Sequence, residues 1–226
     1  MPEDDDLPTD AHRDWPFGVA QTLVLLALCV VIAAVVGWQL GDRPAQESFN
    51  DADAGFLEDM IVHHNGAVAL ALEYLSRERD PTVAHFAREI VTGQSGEIAV
   101  MNLLVADAGN PAIATNGVAM EWMGEPMQPD RMPGMATAVD YDELRAATGV
   151  TADDVFTRLM IRHHAAGVAM ARRAAAEGEN PRVLRLATTL AKVQATEITE
   201  MNRRRVALGL TPVDPSNLEA SHDHMH

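Results

Sequence analysis

The segment MIVHH at 60–64 returns as MIRHH at 160–164, and the likeness runs well beyond those five residues. Laid over each other without a gap, residues 56–102 and 156–202 are identical at 16 of 47 positions. Phe56, Met60, Ile61, His63, His64, Val68, Ala69 and Ala71 recur 100 residues on, as do Pro81, Val83, Ala87, Gln94, Glu97, Ile98, Met101 and Asn102. A chain built on such a repeat must fold as two copies of one supersecondary unit, because neither copy can bury its apolar face alone.

Each unit reads as a helical hairpin. Phe56, Met60, His63, Ala67 and Leu70 follow the spacing of one helical face, and the alternation of a strand is missing. Asp53 marks the first start, and Thr151 with Asp154 three positions on forms an acidic capping box at the second. The turns are RDP at 79–81 and ENP at 179–181, an Asp or Asn cap followed by proline at the first helical position. Gly109 and Gly209 stand where the second helices should stop. The expected fold is therefore all-α: an antiparallel four-helix bundle of two hairpins, 53–109 and 151–209, related by a pseudo-twofold axis. Residues 110–150 connect them, and a connection that long is usually functional or disordered. Within it, DYDELRAATG at 140–149 can add a short helix.

Ahead of the bundle, residues 19–40 carry no charged side chain, which is the length and character of a transmembrane helix. Trp15, Phe17 and Trp38 lie near its ends, where amphipathic rings favour the headgroup layer. The acidic tail 1–18 lacks the basic n-region of a signal peptide, so a retained anchor followed by a linker at 41–52 is expected. Arg13 and Arg43 balance each other across the span, which leaves orientation open on charge alone.

A formal net charge of −16 argues against a nucleic-acid partner, which needs clustered Lys and Arg. Cys29 is the single cysteine and lies inside the apolar span, so the bundle has neither a disulfide nor a thiolate metal site. Methionine is plentiful instead. A thiol-free, thioether-rich domain suits oxidising surroundings, and this places the bundle outside the cytoplasm.

Met60 precedes His63 by three and His64 by four, so its thioether can share a face with either imidazole. On the second helix of the unit Gln94, Glu97 and Met101 share a face, as Gln194, Glu197 and Met201 do beside Met160, His163 and His164. Sulfur, imidazole nitrogen and carboxylate or amide oxygen together suit copper as Cu(I) or Cu(II), with zinc or iron as alternatives. Met120, Met123, Met127, Met132 and Met135 in the linker, and His222, His224 and His226 in the tail at 210–226, are accessory candidates. The competing reading is structural: duplication would also copy core methionines and buried His–Glu pairs that only fasten a bundle.

Enzyme signatures are lacking. A carboxylate-bridged di-metal site needs Glu three residues before a ligand histidine. Met60, Ile61, Met160 and Ile161 occupy those positions, and the one such spacing, Glu219 to His222, lies in the tail. There is no metalloprotease motif, phosphate loop or nucleophile elbow, which ranks a metal-dependent oxidoreductase last.

The stretches FLEDMIVHHNGAVALA, QSGEIAVMN, MPGM, FTRLMIRHHAAGVAMA and VQATEITEMN resemble the bacterial DUF305 family over about residues 50–208. The resemblance implies a ferritin-like helical bundle, usually extracytoplasmic, in a family of which some members bind copper. Its signature falls on the repeated residues together with Met132 and Met135. Leu70 stands where the second copy has Met170 and where the family pattern often has Met, so the resemblance implies a better site in the second hairpin. The expected protein is a membrane-anchored, extracytoplasmic copper-sequestering or copper-transferring protein. The alternative is a metal-free accessory subunit of a membrane complex, and a homo-oligomer is compatible with either.

Overall fold

The computed structural model describes residues 48–76, 80–109 and 117–215. They form five α-helices: α1 (Asp51–Leu75), α2 (Pro81–Asp107), α3 (Ala138–Ala146), α4 (Gly149–Glu177) and α5 (Pro181–Ala207). Two 3-10 turns, Glu121–Met123 and Pro129–Arg131, lie between α2 and α3. Among the described residues no helix is long and apolar enough to cross a membrane. The anchor expected at 19–40 and the tail histidines His222, His224 and His226 lie outside the described residues.

Both hairpins form as the repeat requires, and their turns obey the expected chemistry. The Asp80 carboxylate accepts from the Thr82 and Val83 amides, and the Asn180 side chain accepts from the Arg182 amide, each just ahead of a first-turn proline. Gly209 ends α5 with φ +76, the left-handed region that a residue without Cβ enters freely. From there its amide donates to Val206 and that of Leu210 to Arg205, a Schellman closure.

The starts of the first helices differ from expectation. Asn50, not Asp53, is the cap of α1: its side chain accepts from the Asp53 amide at 2.9 Å, and Asp53 returns a bond to the Asn50 amide at 3.1 Å. Helix α4 begins at Gly149, so Thr151 lies inside it, and Asp154 is drawn to the Arg205 guanidinium at 2.7 Å instead of capping. A buried arginine needs a carboxylate more than a helix end needs one, since an unpaired buried charge costs more than an open cap.

The helices α1 and α4 run antiparallel through the middle, and α2 and α5 flank them. Two apolar clusters result. One joins the end of α1 to the start of α4, with Leu70, Tyr74, Phe156, Met160 and Met201; Tyr74 and Phe156 stack at 4.2 Å. The other joins the start of α1 to the end of α4, with Phe56, Met60, Met101, Met170 and Leu190. Adding 100 to a residue number exchanges the clusters, which is the pseudo-twofold axis in residue terms. The axis is crossed by His63 and His163.

Two repeated carboxylates lock this arrangement. Asp53 accepts from the amides of Glu179 and Asn180 at 3.1 and 2.9 Å, and so holds the turn of the other hairpin. Asp153 accepts from the Tyr74 hydroxyl and from the Asp80 amide at the opposite turn. Both residues are buried, and a hydrogen bond to a charged group contributes about 1.5–3 kcal/mol.

Candidate metal centre

All four repeated histidines are buried, with exposures of 0 to 2%. Adjacent histidines diverge by about 100° on a helix, which sends the pair in two directions. The rings of His63 and His163 meet on the axis, their centroids 3.7 Å apart and their planes 18° from parallel. His64 and His164 turn instead toward the flanking helices, where they meet Glu97 at 2.8 Å and Glu197 at 2.7 Å.

The bonding partners assign the tautomers. A carbonyl or an ionised carboxylate only accepts, so the facing ring nitrogen carries the proton. His63 donates from Nε2 to the Pro133 carbonyl, and His163 from Nδ1 to the Gly134 carbonyl, both at 3.3 Å. His64 and His164 donate from Nε2 to their glutamates. The remaining nitrogens, Nδ1 of His63, His64 and His164 and Nε2 of His163, are buried without a hydrogen-bond partner. The Oε1 atoms of Gln94 and Gln194 are equally unpartnered. A buried polar atom left without a partner costs about 1–3 kcal/mol, and here the cost recurs in both halves of the bundle.

Burial also keeps the central pair neutral. Desolvation, reinforced by His64 and His164, pushes the His63 imidazolium down to about 3, against the pull of the Pro133 carbonyl. The same desolvation, followed by the neighbouring imidazoles, drives His163 well below the ordinary range. Their lone pairs therefore stay free of protons at neutral pH, the state that a metal requires.

The strap MPGM at 132–135 covers this layer. Gly134, at φ +81, lies so close to α4 that a Cβ there would stand 2.8 Å from the His163 Cα. Across the stack, a Cβ on Gly66 would meet the Met135 sulfur at 3.0 Å and His163 Cε1 at 3.8 Å, so Met135 and His163 share the space over that glycine. Gly167 leaves similar room for the Gln194 amide.

Of the other expected ligands, Met60, Met101 and Met170 share one cluster with Met120 and Met132, whereas Met160 and Met201 lie in the other. The family resemblance implies a better site in the second hairpin through Met170. In the fold Met170 packs with the first hairpin's Met60 and Met101, because antiparallel packing brings the end of α4 to the start of α1. Of the five linker methionines, Met120 and Met132 are buried, 2% and 1% exposed, and Met123, Met127 and Met135 are half-buried. Asp59 accounts for much of this order. Its carboxylate accepts from the Met120 amide and the Trp122 indole, both at 2.8 Å. Burial raises the Asp59 pKa and these two bonds pull it back.

Sequence reasoning missed Asp59, Asp153, Gly66, Gly134 and the two strap carbonyls, and it read Asp53 only as a helix start. Asp53 and Asp153 carried a signal, since they too stand 100 apart. Asp59 carried none, because its counterpart is Leu159. Among the described residues no group of three His, Cys, Asp or Glu side chains converges closely enough to hold a metal. A site built from the described residues would therefore recruit sulfur, amide oxygen or a rotated imidazole.

Solved structures share this architecture. A DUF305 protein of Streptomyces coelicolor, described as secreted, is 30% identical, with a TM-score of 0.65 over 75% of this chain and 99% of its own. A DUF305 fragment from Deinococcus radiodurans is 31% identical, with a TM-score of 0.57 over 68% and 95%. CopM in its Cu(I)-bound form is 27% identical, with a TM-score of 0.51 over 69% and 96%. CopM is also known in Cu(II)-bound, silver-bound and apo forms. A curated relative, an uncharacterised protein of Acanthamoeba polyphaga mimivirus, is 26% identical over 88 residues, and the match spans 53% of its length. The paired histidines, their glutamates and the bundle that carries them fall within residues 53–205, which match the domain of unknown function DUF305, and the chain belongs to that family.

Proposed function

We propose that the protein binds copper outside the cytoplasm, held to a membrane by residues 19–40, and sequesters the ion or hands it on. The observation that carries this reading is the set of four buried imidazole nitrogens without hydrogen-bond partners, two from each hairpin. His63, His64, His163 and His164 supply nitrogen. Glu97 and Glu197 orient His64 and His164 through the protonated nitrogen, which leaves the other nitrogen to the metal. Met60, Met101, Met160 and Met201, with Gln94 and Gln194, line the same helices as softer or neutral donors. The DUF305 protein described as secreted supports the compartment, and the copper-bound and silver-bound forms of CopM support the metal.

The test is titration of the full chain with Cu(I) against a competing chelator, beside the variant carrying His63→Ala, His64→Ala, His163→Ala and His164→Ala. Tight nitrogen-ligated binding that the variant loses is the expected result. Equal binding by both would sink the proposal.

One observation favours the metal-free reading. Both glutamates are already bonded to imidazoles, and no three His, Cys, Asp or Glu side chains converge among the described residues. Under it the His–Glu pairs fasten the bundle of an accessory subunit. Thermal stability unchanged by copper, together with a stoichiometric membrane partner, would then be found.

A further inference from the structure

The methionines are not shared equally between the halves of the pseudo-symmetric bundle. Met60, Met101, Met120, Met132 and Met170 lie in one cluster with Met123, Met127 and Met135 packed against it, eight in all among the described residues. The opposite cluster holds two, Met160 and Met201. At the rich end a cavity of about 520 Å³ opens to solvent, and Met120, Met123, Met127 and Met170 contribute to its wall.

The repeat provides an internal control for packing. Leu70 fills the position equivalent to Met170, so that place in the core does not need a thioether. Asp59, which holds Met120 by its amide, is likewise Leu159 in the other copy. Two departures from the repeat thus coincide at the end where the loop brings its own methionines. Met120 itself takes φ +63, a conformation costly for a residue with a side chain, and the Asp59 bond sustains it.

We propose that this cavity is a thioether site for a soft monovalent cation, Cu(I) or Ag(I), separate from the histidine layer. Met120, Met123, Met127 and Met170 are its donors. Charge around it is balanced rather than acidic. Arg162, on the wall, is paired with Asp140 at 2.9 Å, and Arg131 is matched by Glu125 on the same wall. Thioethers offer hard divalent cations little, and the softness of the four sulfurs selects the ion. Pro133 and Gly134 form part of the wall while their carbonyls bond His63 and His163, so the strap separates the two sites. The cavity is the solvent-side station from which an ion reaches the histidines. The inference rests on the copper-handling reading for its metal but not for its ligands.

The experiment loads the full chain with excess Cu(I), removes the unbound ion, and measures metal content and X-ray absorption. Three proteins are compared: the native chain, a variant with Met120, Met123, Met127 and Met170 each changed to Leu, and the four-histidine variant above. The histidine variant should hold copper ligated by sulfur alone, and the leucine variant should hold one equivalent less than the native chain at unchanged helix content. Equal copper content in the leucine variant and the native chain, or no sulfur-ligated copper in the histidine variant, overturns the inference. Loss of only the nitrogen-ligated copper in the native chain would remove the proposed histidine site and leave this one standing. Should the leucine variant fold poorly, Met170→Leu alone, which copies Leu70, is expected to weaken Ag(I) retention about tenfold. Unchanged retention there would overturn the inference as well.

Discussion

His63 and His163 stack face to face on the pseudo-twofold axis at 3.7 Å, and each is tied by its protonated nitrogen to one of two consecutive carbonyls in a single strap. Sequence-equivalent residues thereby use different nitrogens, Nε2 in one and Nδ1 in the other. A single strand of chain cannot present itself identically to both halves of a twofold. The symmetry of the repeat is broken at the site itself.

Acid should therefore destabilise the metal-free protein before most carboxylates titrate. The folded state holds His63 neutral down to about 3, whereas the unfolded chain takes up a proton near 6.5. Between these limits the unfolded state binds more protons, so stability is complete above about 6.5 and falls as pH drops toward 3. The slope is about 1.4 kcal/mol per pH unit for one fully differential proton. Urea unfolding from pH 7 to pH 4.5 measures it. A native midpoint no more pH-dependent than that of His63→Leu would contradict the assignment.

Replacing Gly134 by Ala should loosen the strap. The backbone is at φ +81, and the added Cβ would meet the His163 Cα at 2.8 Å, where no flexible side chain can yield. We expect a loss of about 1–3 kcal/mol in urea unfolding. Exchange of the backbone amides from 132 to 137 should accelerate more than that of α2. Native protection throughout the strap would be the contrary result.

Asp53→Ala and Asp153→Ala should each cost about 2–4 kcal/mol, because each leaves buried donors of the opposite turn without an acceptor. The two carboxylates serve opposite turns, so the double variant should lose nearly the sum. Denaturant midpoints decide this. A double variant no worse than either single one would show that the two clamps act as one.

Glu97→Gln keeps a hydrogen-bonding partner for His64 and removes its negative charge, since the partner oxygen is Oε2 at 2.8 Å. If the imidazole binds copper, affinity should fall about 10–100-fold while helix content is unchanged. Competition against a chelator gives the ratio. An unaltered constant would confine Glu97 to a structural role.

The repeat alone determined the all-α class, the two hairpins, their turns at Asp80 and Asn180 and the stops at Gly109 and Gly209, because caps, prolines and period are local and act within a few residues. It also picked out His63, His64, Glu97 and their counterparts as a group. A period of 3.6 residues also requires the adjacent histidines to diverge by about 100°. What it could not contain is which helix end meets which. Antiparallel packing moved Met170 to the first hairpin's methionines, turned Asp53 from a helix start into a clamp between hairpins with Asp153 as its counterpart, and drew Met120 and Met132 out of an apparently open loop into the core. The protonated nitrogen of each imidazole was likewise decided by partners 29 to 70 residues away. Such contacts depend on the relative placement of whole helices, and only the packed bundle sets that.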